Sequence, residues 1–196
     1  TNRRPGDDPG SWLVTMPNGM IRPMTIPFNP RKHFVLDPSG EIWSSAPDET
    51  RARVIRWQPA GDTTLILEIA RPPLLVTGAE RDSVIATVRE RFAGMPSPPR
   101  VDFGRIPRVK PTIHGLSLDE QRRLWVRVTE PTADSAVYDV FGADGRHVET
   151  ILVPAAVDPD IPPIARDGVL WLVVRDETDV QYVVRARLTD VPSEKG

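Results

Sequence analysis

A hairpin unit with the pattern Leu-Asp-x-x-x-x-x-Trp recurs along this chain, and it constrains the fold more than any other feature. Its copies are Leu36 to Trp43, Leu118 to Trp125, and a third with a shorter turn that keeps Asp167 and Trp171. A short polar turn separates two apolar strand patterns in each copy. A unit that returns in this way indicates that the chain is built from similar supersecondary elements in succession.

The spacing of the tryptophans predicts the size of these elements. Trp125 and Trp171 are 46 residues apart, which is the length of one four-stranded β-propeller blade. Trp43 and Trp125 are 82 residues apart, so about 36 residues between them belong to an insert. The sequence therefore predicts an all-β fold, a partial β-propeller of about three blades of four-stranded antiparallel sheets with one helical insert.

The insert has the signature of a single amphipathic helix. Thr77 and Glu80 fit a capping box at its start, and Val88 and Phe92 fall on one face. Pro96 and the prolines after it prevent continuation. The predicted divisions are a disordered segment 1–10, the last two strands of a truncated blade 11–30, a blade 31–76, the helix with a proline-rich insert 77–112, a blade 113–157, a three-stranded final blade 158–190 and a tail 191–196.

These divisions predict an incomplete ring. The hairpin in 11–30 matches the last two strands of a blade, and the final blade shows three strands. Propellers need four to eight blades. We therefore expect the blades that close the ring to come from a preceding part of a longer protein.

Composition excludes several function classes. A formal net charge of −2 gives no electrostatic reason to expect nucleic-acid binding. The chain has no cysteine, which excludes disulfides and thiolate chemistry. No apolar run approaches the ~20 residues of a transmembrane helix.

The candidate residues fall into a structural set and a rim set. The repeat residues are interpreted as packing and turn devices, because a turn aspartate bonds its own backbone and a tryptophan suits the layer between sheets; they are Asp37, Trp43, Asp119, Trp125, Asp167 and Trp171. The carboxylates in loops after second strands are candidates for a binding rim; they are Asp48, Glu49, Glu130 and Asp176. His33, His114 and His147 are out of register, so we predict no catalytic or metal residue and no cofactor.

The repeats give the chain a resemblance to a known group. Phe34 to Trp43, Leu116 to Arg127, Val140 to Arg146 and the Val76 to Arg81 stretch that opens the insert resemble the C-terminal half of bacterial six-bladed β-propeller proteins, of the NHL-repeat and sugar-lactonase-like kind. The similarity covers roughly residues 11–188. It implies an extracytoplasmic location, periplasmic or secreted. Sugar-lactonase-like propellers hold a divalent cation with Glu, Asn and Asp from several blades, and no such set maps onto this sequence.

Two functions follow as hypotheses. The first is a non-catalytic scaffold or binding module for a protein, peptide or glycan. The alternative is a metal-dependent hydrolase or lactonase-like propeller whose ligands lie mainly in the missing blades. A tightly held divalent ion would favour the second hypothesis over the first.

Overall fold

The protein is mostly β-structure with one α-helix in the residues that its computed structural model describes, namely 10–46, 52–130, 134–178 and 180–187. The strands are β1 Ser11–Thr15, β2 Ile21–Thr25, β3 Phe34–Leu36, β4 Ile42–Ala46, β5 Ala52–Trp57, β6 Thr63–Ile69, β7 Ile113–Leu118, β8 Leu124–Val128, β9 Ala136–Phe141, β10 His147–Val153, β11 Ile164–Arg166, β12 Val169–Arg175 and β13 Gln181–Arg187. The helix α1 is Gly78–Phe92, and a short 3₁₀ helix covers Phe103–Arg105. The all-β prediction with one helix is confirmed. The predicted disordered segment 1–10, except Gly10, and the tail 191–196 lie outside the described residues.

Every sheet is an antiparallel meander of strands consecutive in sequence. β1 and β2 form a two-stranded ribbon. The first sheet has the order β3-β4-β5-β6, the middle sheet β7-β8-β9-β10, and the last sheet β11-β12-β13. Short turns suffice for such neighbours, and Gly40, Gly61 and Gly145 supply the positive φ angles that three of these turns require.

Contacts divide the chain into two compact units. The first consists of Thr1–Arg31 and Pro72–Thr112, and the second of Lys32–Arg71 and Ile113–Gly196. The three larger sheets therefore belong to one unit. The N-terminal ribbon and the helix belong to the other, although about fifty residues separate them in sequence.

The first unit is built on the packing of the helix against the ribbon. Trp12 and Val14 of β1 share a buried core with Val88 and Phe92 of α1. The predicted capping box is present: the Thr77 hydroxyl accepts a hydrogen bond from the Glu80 amide, and the Glu80 carboxylate accepts one from the Thr77 amide. The interpretation of residues 11–30 as the end of a blade stays a prediction.

The second unit is a stack of three sheets that pack in a constant order. Alternation along a strand places the repeat tryptophan on one face of each sheet, which we call its tryptophan face. The tryptophan face of the first sheet, with Trp43, packs on the opposite face of the middle sheet, with Leu124 and Val126. The tryptophan face of the middle sheet, with Trp125, packs on the opposite face of the last sheet, with Leu170.

The first strands of neighbouring sheets also approach one another. Cα atoms of β3 lie within 8 Å of those of β7, and those of β7 within 8 Å of those of β11. Sheets that pack face to face are about 10 Å apart. The stack is therefore tightest along its first strands. In the described parts of the chain, no helix is long and apolar enough to cross a membrane.

Candidate functional site

The turn aspartates of the first and middle sheets close the hairpins between first and second strands. Asp37 Oδ1 accepts hydrogen bonds from the backbone N–H of Ser39 at 2.8 Å and from its hydroxyl at 2.7 Å. Asp119 Oδ1 accepts from the backbone N–H groups of Gln121 and Arg123, at 2.9 and 2.8 Å. Each carboxylate thus bonds its own turn, as the sequence predicts.

The remaining oxygen of each aspartate holds a different partner. Asp119 Oδ2 accepts from Arg123 Nε at 2.6 Å and from the buried Trp125 indole N–H at 3.1 Å. Asp37 Oδ2 instead accepts from Arg122 Nε of the middle sheet at 3.0 Å. Burial raises the pKa of Asp37, but the hydrogen bonds from Ser39 and Arg122 outweigh that effect and hold the pKa below its ordinary value.

The third repeat departs from this arrangement. Asp167 lies at the tip of the shorter turn with φ +52°, and its backbone N–H donates to Glu120 Oε1 of the middle sheet at 2.8 Å. Trp43 and Trp125 are each 1% exposed, whereas Trp171 is 42% exposed. Packing between sheets is thus seen for Trp43 and Trp125, whereas no described sheet covers the tryptophan face of the last sheet, and for Trp171 it stays a prediction.

The predicted rim residues lie in equivalent loops. Glu130 follows β8 and Asp176 follows β12, so each begins a connection from the second to the third strand of its sheet. We call these two connections the rim loops; their described residues are 129–130 and 134–135 in the middle sheet, and 176–178 and 180 in the last sheet. Asp48 and Glu49 belong to the corresponding connection of the first sheet and lie outside the described residues.

Asp176 organises its own rim loop. Its Oδ1 accepts from the Thr178 N–H and hydroxyl and from the Val180 N–H, and its Oδ2 accepts from the Tyr182 hydroxyl, all at 2.7–3.0 Å. The hydrogen bonds from the Thr178 hydroxyl, the Val180 N–H and the Tyr182 hydroxyl lower the pKa of Asp176 to about 2. Thr178 and Val180 are thus held around a carboxylate that stays charged, while Tyr182 remains half exposed.

A buried carboxylate that the repeat pattern did not indicate lies behind this loop. Asp158 is 1% exposed and precedes the last sheet. Its Oδ2 accepts from Arg175 Nε and from Gln181 Nε2, both at 2.8 Å, and its Oδ1 accepts from the Asp160 N–H at 2.9 Å. The bond from Asp160, aided by those from Gln181 and Arg175, lowers the pKa of Asp158. This cluster fixes both ends of the rim loop, because Arg175 and Gln181 flank it.

A second polar cluster joins the exit of the first sheet to the middle sheet. Arg71 makes a two-pronged contact with Asp139, Nη2 to Oδ1 at 2.6 Å and Nε to Oδ2 at 3.2 Å. Thr150 also donates to Asp139 Oδ1, at 2.7 Å, and His147 lies 3.1 Å from the Thr150 hydroxyl. The bidentate guanidinium contact marks Asp139 as a structural anchor between sheets.

The carboxylates of the second unit are therefore dispersed among separate turns and loops. Within residues 10–46, 52–130, 134–178 and 180–187, no group of three or more histidines and carboxylates is placed to hold a metal ion. A calcium site gathers six to eight oxygens. Here the carboxylate oxygens instead accept hydrogen bonds from nearby N–H, guanidinium and hydroxyl donors, as in Asp37, Asp119, Asp158 and Asp176.

No family model matches this chain, and no curated protein matches it.

Proposed function

We propose that the three sheets of the second unit are blades of a β-propeller, and that the protein is a non-catalytic scaffold. In this proposal the rim loops bind a protein, peptide or glycan. An extracytoplasmic location, as the resemblance implies, belongs to the same proposal.

The propeller proposal is supported most strongly by the constant order in which successive sheets pack on one another. The tryptophan face of one sheet twice meets the opposite face of the next, and the first strands approach one another. In a propeller, four-stranded sheets surround a central channel, so successive blades repeat one interface and converge at their first strands. A β-sandwich made of two sheets has one interface between facing surfaces and gives no reason for a third sheet to repeat it.

The ordering of the rim supports binding. Loops on a rigid scaffold commonly carry binding residues. Asp176 accepts four hydrogen bonds from Thr178, Val180 and Tyr182, and the Asp158 cluster secures the strands on either side. A loop that is already ordered loses less conformational entropy when a partner binds. Tyr182 presents a half-exposed aromatic ring beside it, the type of residue that is enriched at interfaces.

A binding screen tests the proposal. The chain is immobilised and exposed to arrays of synthetic peptides and of oligosaccharides at physiological salt. Binding by the wild type should weaken at least tenfold in the variant Glu130→Gln/Asp176→Asn, because the two carboxylates that the sequence predicts for the rim lose their charge. Asp62→Asn is the matched control, since Asp62 is exposed at the opposite end of the first sheet, after the turn between its third and fourth strands.

Elemental analysis of the purified protein addresses the alternative. A scaffold should carry far less than one divalent ion per chain after dialysis. One tightly held divalent ion per chain would overturn the scaffold proposal in favour of the metal-dependent hydrolase. Binding that is equal in the rim variant and the control would place the ligand elsewhere.

A further inference from the structure

The tryptophan face of the last sheet is an apolar surface that no described part of the chain covers. Register and alternation place Ile164, Trp171 and Arg185 in one cross-strand row on this face, with the Val173–Val183 pair beside it. Ile164 is 63% exposed, Trp171 42% and Val183 71%. Contiguous exposed apolar side chains of this kind mark interaction surfaces.

The same row exists in the first sheet, where it is covered. Val35, Trp43 and Arg56 are cross-strand neighbours in the register that Ile164, Trp171 and Arg185 show in the last sheet. The guanidinium lies over the indole in both, at 5.1 Å from the ring centre for Arg56 and 5.7 Å for Arg185.

The cover of the first row is a neighbouring sheet. The middle sheet buries Trp43. Arg56 Nη1 donates to the Ala143 carbonyl, 2.7 Å away, in the turn between the third and fourth strands of that sheet. The row in the last sheet therefore resembles, in residue types and register, a row that a neighbouring sheet covers in the first sheet.

The chain also exposes a surface of the kind that packs on the row of Val35, Trp43 and Arg56. In the middle sheet the covering side is formed in part by Leu116 and Leu118, which precede Asp119. The residues that precede Asp37 in the same positions of the first sheet are Phe34 and Leu36. They are 73% and 64% exposed, whereas Leu116 is 8% exposed.

The two ends of the stack are therefore complementary. Among the described residues, one end has an exposed tryptophan face with Trp171 and the other an exposed opposite face with Phe34 and Leu36. Inside the chain, surfaces of these two kinds meet at both joints between sheets. A surface that pairs with a different surface of an identical molecule makes a head-to-tail interface.

We infer that the Trp171 face docks onto the Phe34 and Leu36 face of a second copy of this chain. The turn of the second copy that corresponds to the Ala143 turn is the one at Gln58, since the bonds from Gly61 N to Gln58 O and from Gly145 N to Gly142 O close both turns alike. Arg185 then donates to the carbonyl of Pro59, the residue that corresponds to Ala143.

Ring closure sets the number of copies. The described residues of one chain contribute three stacked sheets. Propeller rings have four to eight blades, so two chains, with six sheets, close a ring and three chains exceed the range. For this chain the assembly is a dimer with two identical head-to-tail joints, in which the second copy supplies the blades that the repeat spacing led us to expect from a preceding segment. The number of copies rests on the propeller architecture proposed above, whereas the pairing of the two faces rests on the sheet packing alone.

Sedimentation velocity over a range of concentrations tests the dimer. The wild type should sediment as a dimer, while Trp171→Glu and Phe34→Glu should each be monomeric, since each puts a charge into both joints. A mixture of the two variants should recover association, because one joint then has two unaltered faces. Leu152→Glu on β10 is the control and should remain dimeric, as Leu152 is an equally exposed apolar side chain on neither face. A wild type that stays monomeric would overturn the inference.

Cross-linking tests the direction of pairing, which the absence of native cysteine makes simple. The position of Ile164 corresponds to that of Val35, and β3 approaches β7 at the covered joint. A mixture of Ile164→Cys and Phe34→Cys chains should form disulfide-linked dimers on mild oxidation. Efficient linking of Ile164→Cys with itself would overturn head-to-tail pairing. Because the substituted residues lie outside the rim loops, the peptide and glycan screen reports on the binding proposal independently.

Discussion

Trp125 and Trp171 occupy the same position in two successive sheets but have different surroundings. Trp125 is 1% exposed, lies edge-on to the Tyr138 ring and donates its indole N–H to Asp119. Trp171 is 42% exposed and lies beneath the Arg185 guanidinium. The repeat fixes where the side chain stands on its sheet, and the presence of a neighbouring sheet decides whether it becomes core.

The turns show a similar contrast. The Trp125 indole has a hydrogen-bond partner in its own turn, whereas the Trp43 indole nitrogen is buried without a partner in the described part of the chain. In the first sheet, the oxygen of Asp37 that corresponds to the indole acceptor of Asp119 accepts a hydrogen bond from Arg122 of the neighbouring sheet. One sequence motif thus serves a bond within a sheet in one copy and a bond between sheets in another.

The largest expected effect separates the two tryptophans. Trp125→Ala should lower the free energy of unfolding by about 3–5 kcal/mol, because it leaves a large cavity between two packed sheets. Trp171→Ala should lower it by only about 1 kcal/mol in dilute solution, since the side chain is 42% exposed and mainly loses its contact with Arg185. Urea titrations of both variants give the comparison. Equal losses would show that the face of Trp171 is covered within a single chain.

A smaller effect is expected for the turn aspartates. Asp119→Ala should cost about 1–3 kcal/mol, since the Trp125 N–H stays buried after its acceptor is removed. Asp167→Ala is the matched control from the third repeat. Its side chain is 80% exposed and its removal leaves no buried donor, so the expected change is about 1 kcal/mol or less, the cost of alanine at φ +52°. The same urea titrations measure both. If Asp167→Ala proved as costly as Asp119→Ala, the two turns would be equivalent in energy despite their different lengths.

Local signals made the elements predictable. The alternation in β6 indicates Leu67 and Ile69 as core, and both are buried. The Thr77 and Glu80 pair predicts the start of α1, because a capping box is satisfied by residues three positions apart. Turn chemistry likewise predicts the Asp37 bond to Ser39, since both partners lie within one hairpin.

Contacts between distant segments were not predictable in this way. Nothing in the periodicity indicates that Trp12 shares a core with Phe92, because a pairing of segments so far apart leaves no local pattern. The Asp158 cluster was missed for the same reason, since Asp158 precedes its sheet in an irregular segment outside the repeat. The burial of a repeat tryptophan was predicted from its type, and Trp171 shows that burial also needs a neighbour.

The smallest expected effect compares the two joints between sheets. Arg122 Nε lies 3.0 Å from buried Asp37 Oδ2 across the first joint, and Arg166 Nε lies 3.6 Å from Glu120 Oε2 across the second, where both side chains are exposed. Because the pKa of Asp37 is lowered in the folded protein, the contribution of its charge to the free energy of unfolding is complete above the ordinary aspartate pKa of about 3.9. It is lost as pH falls through the lowered value.

A double-mutant cycle on Asp37→Asn and Arg122→Ala should give a coupling of up to about 1 kcal/mol at pH 6, since Arg122 is half exposed to solvent. That coupling should shrink steadily below pH 4, and the cycle on Glu120→Gln and Arg166→Ala should give less at pH 6. A coupling across the first joint that persists at pH 2 would show that the contact does not depend on the charge of Asp37.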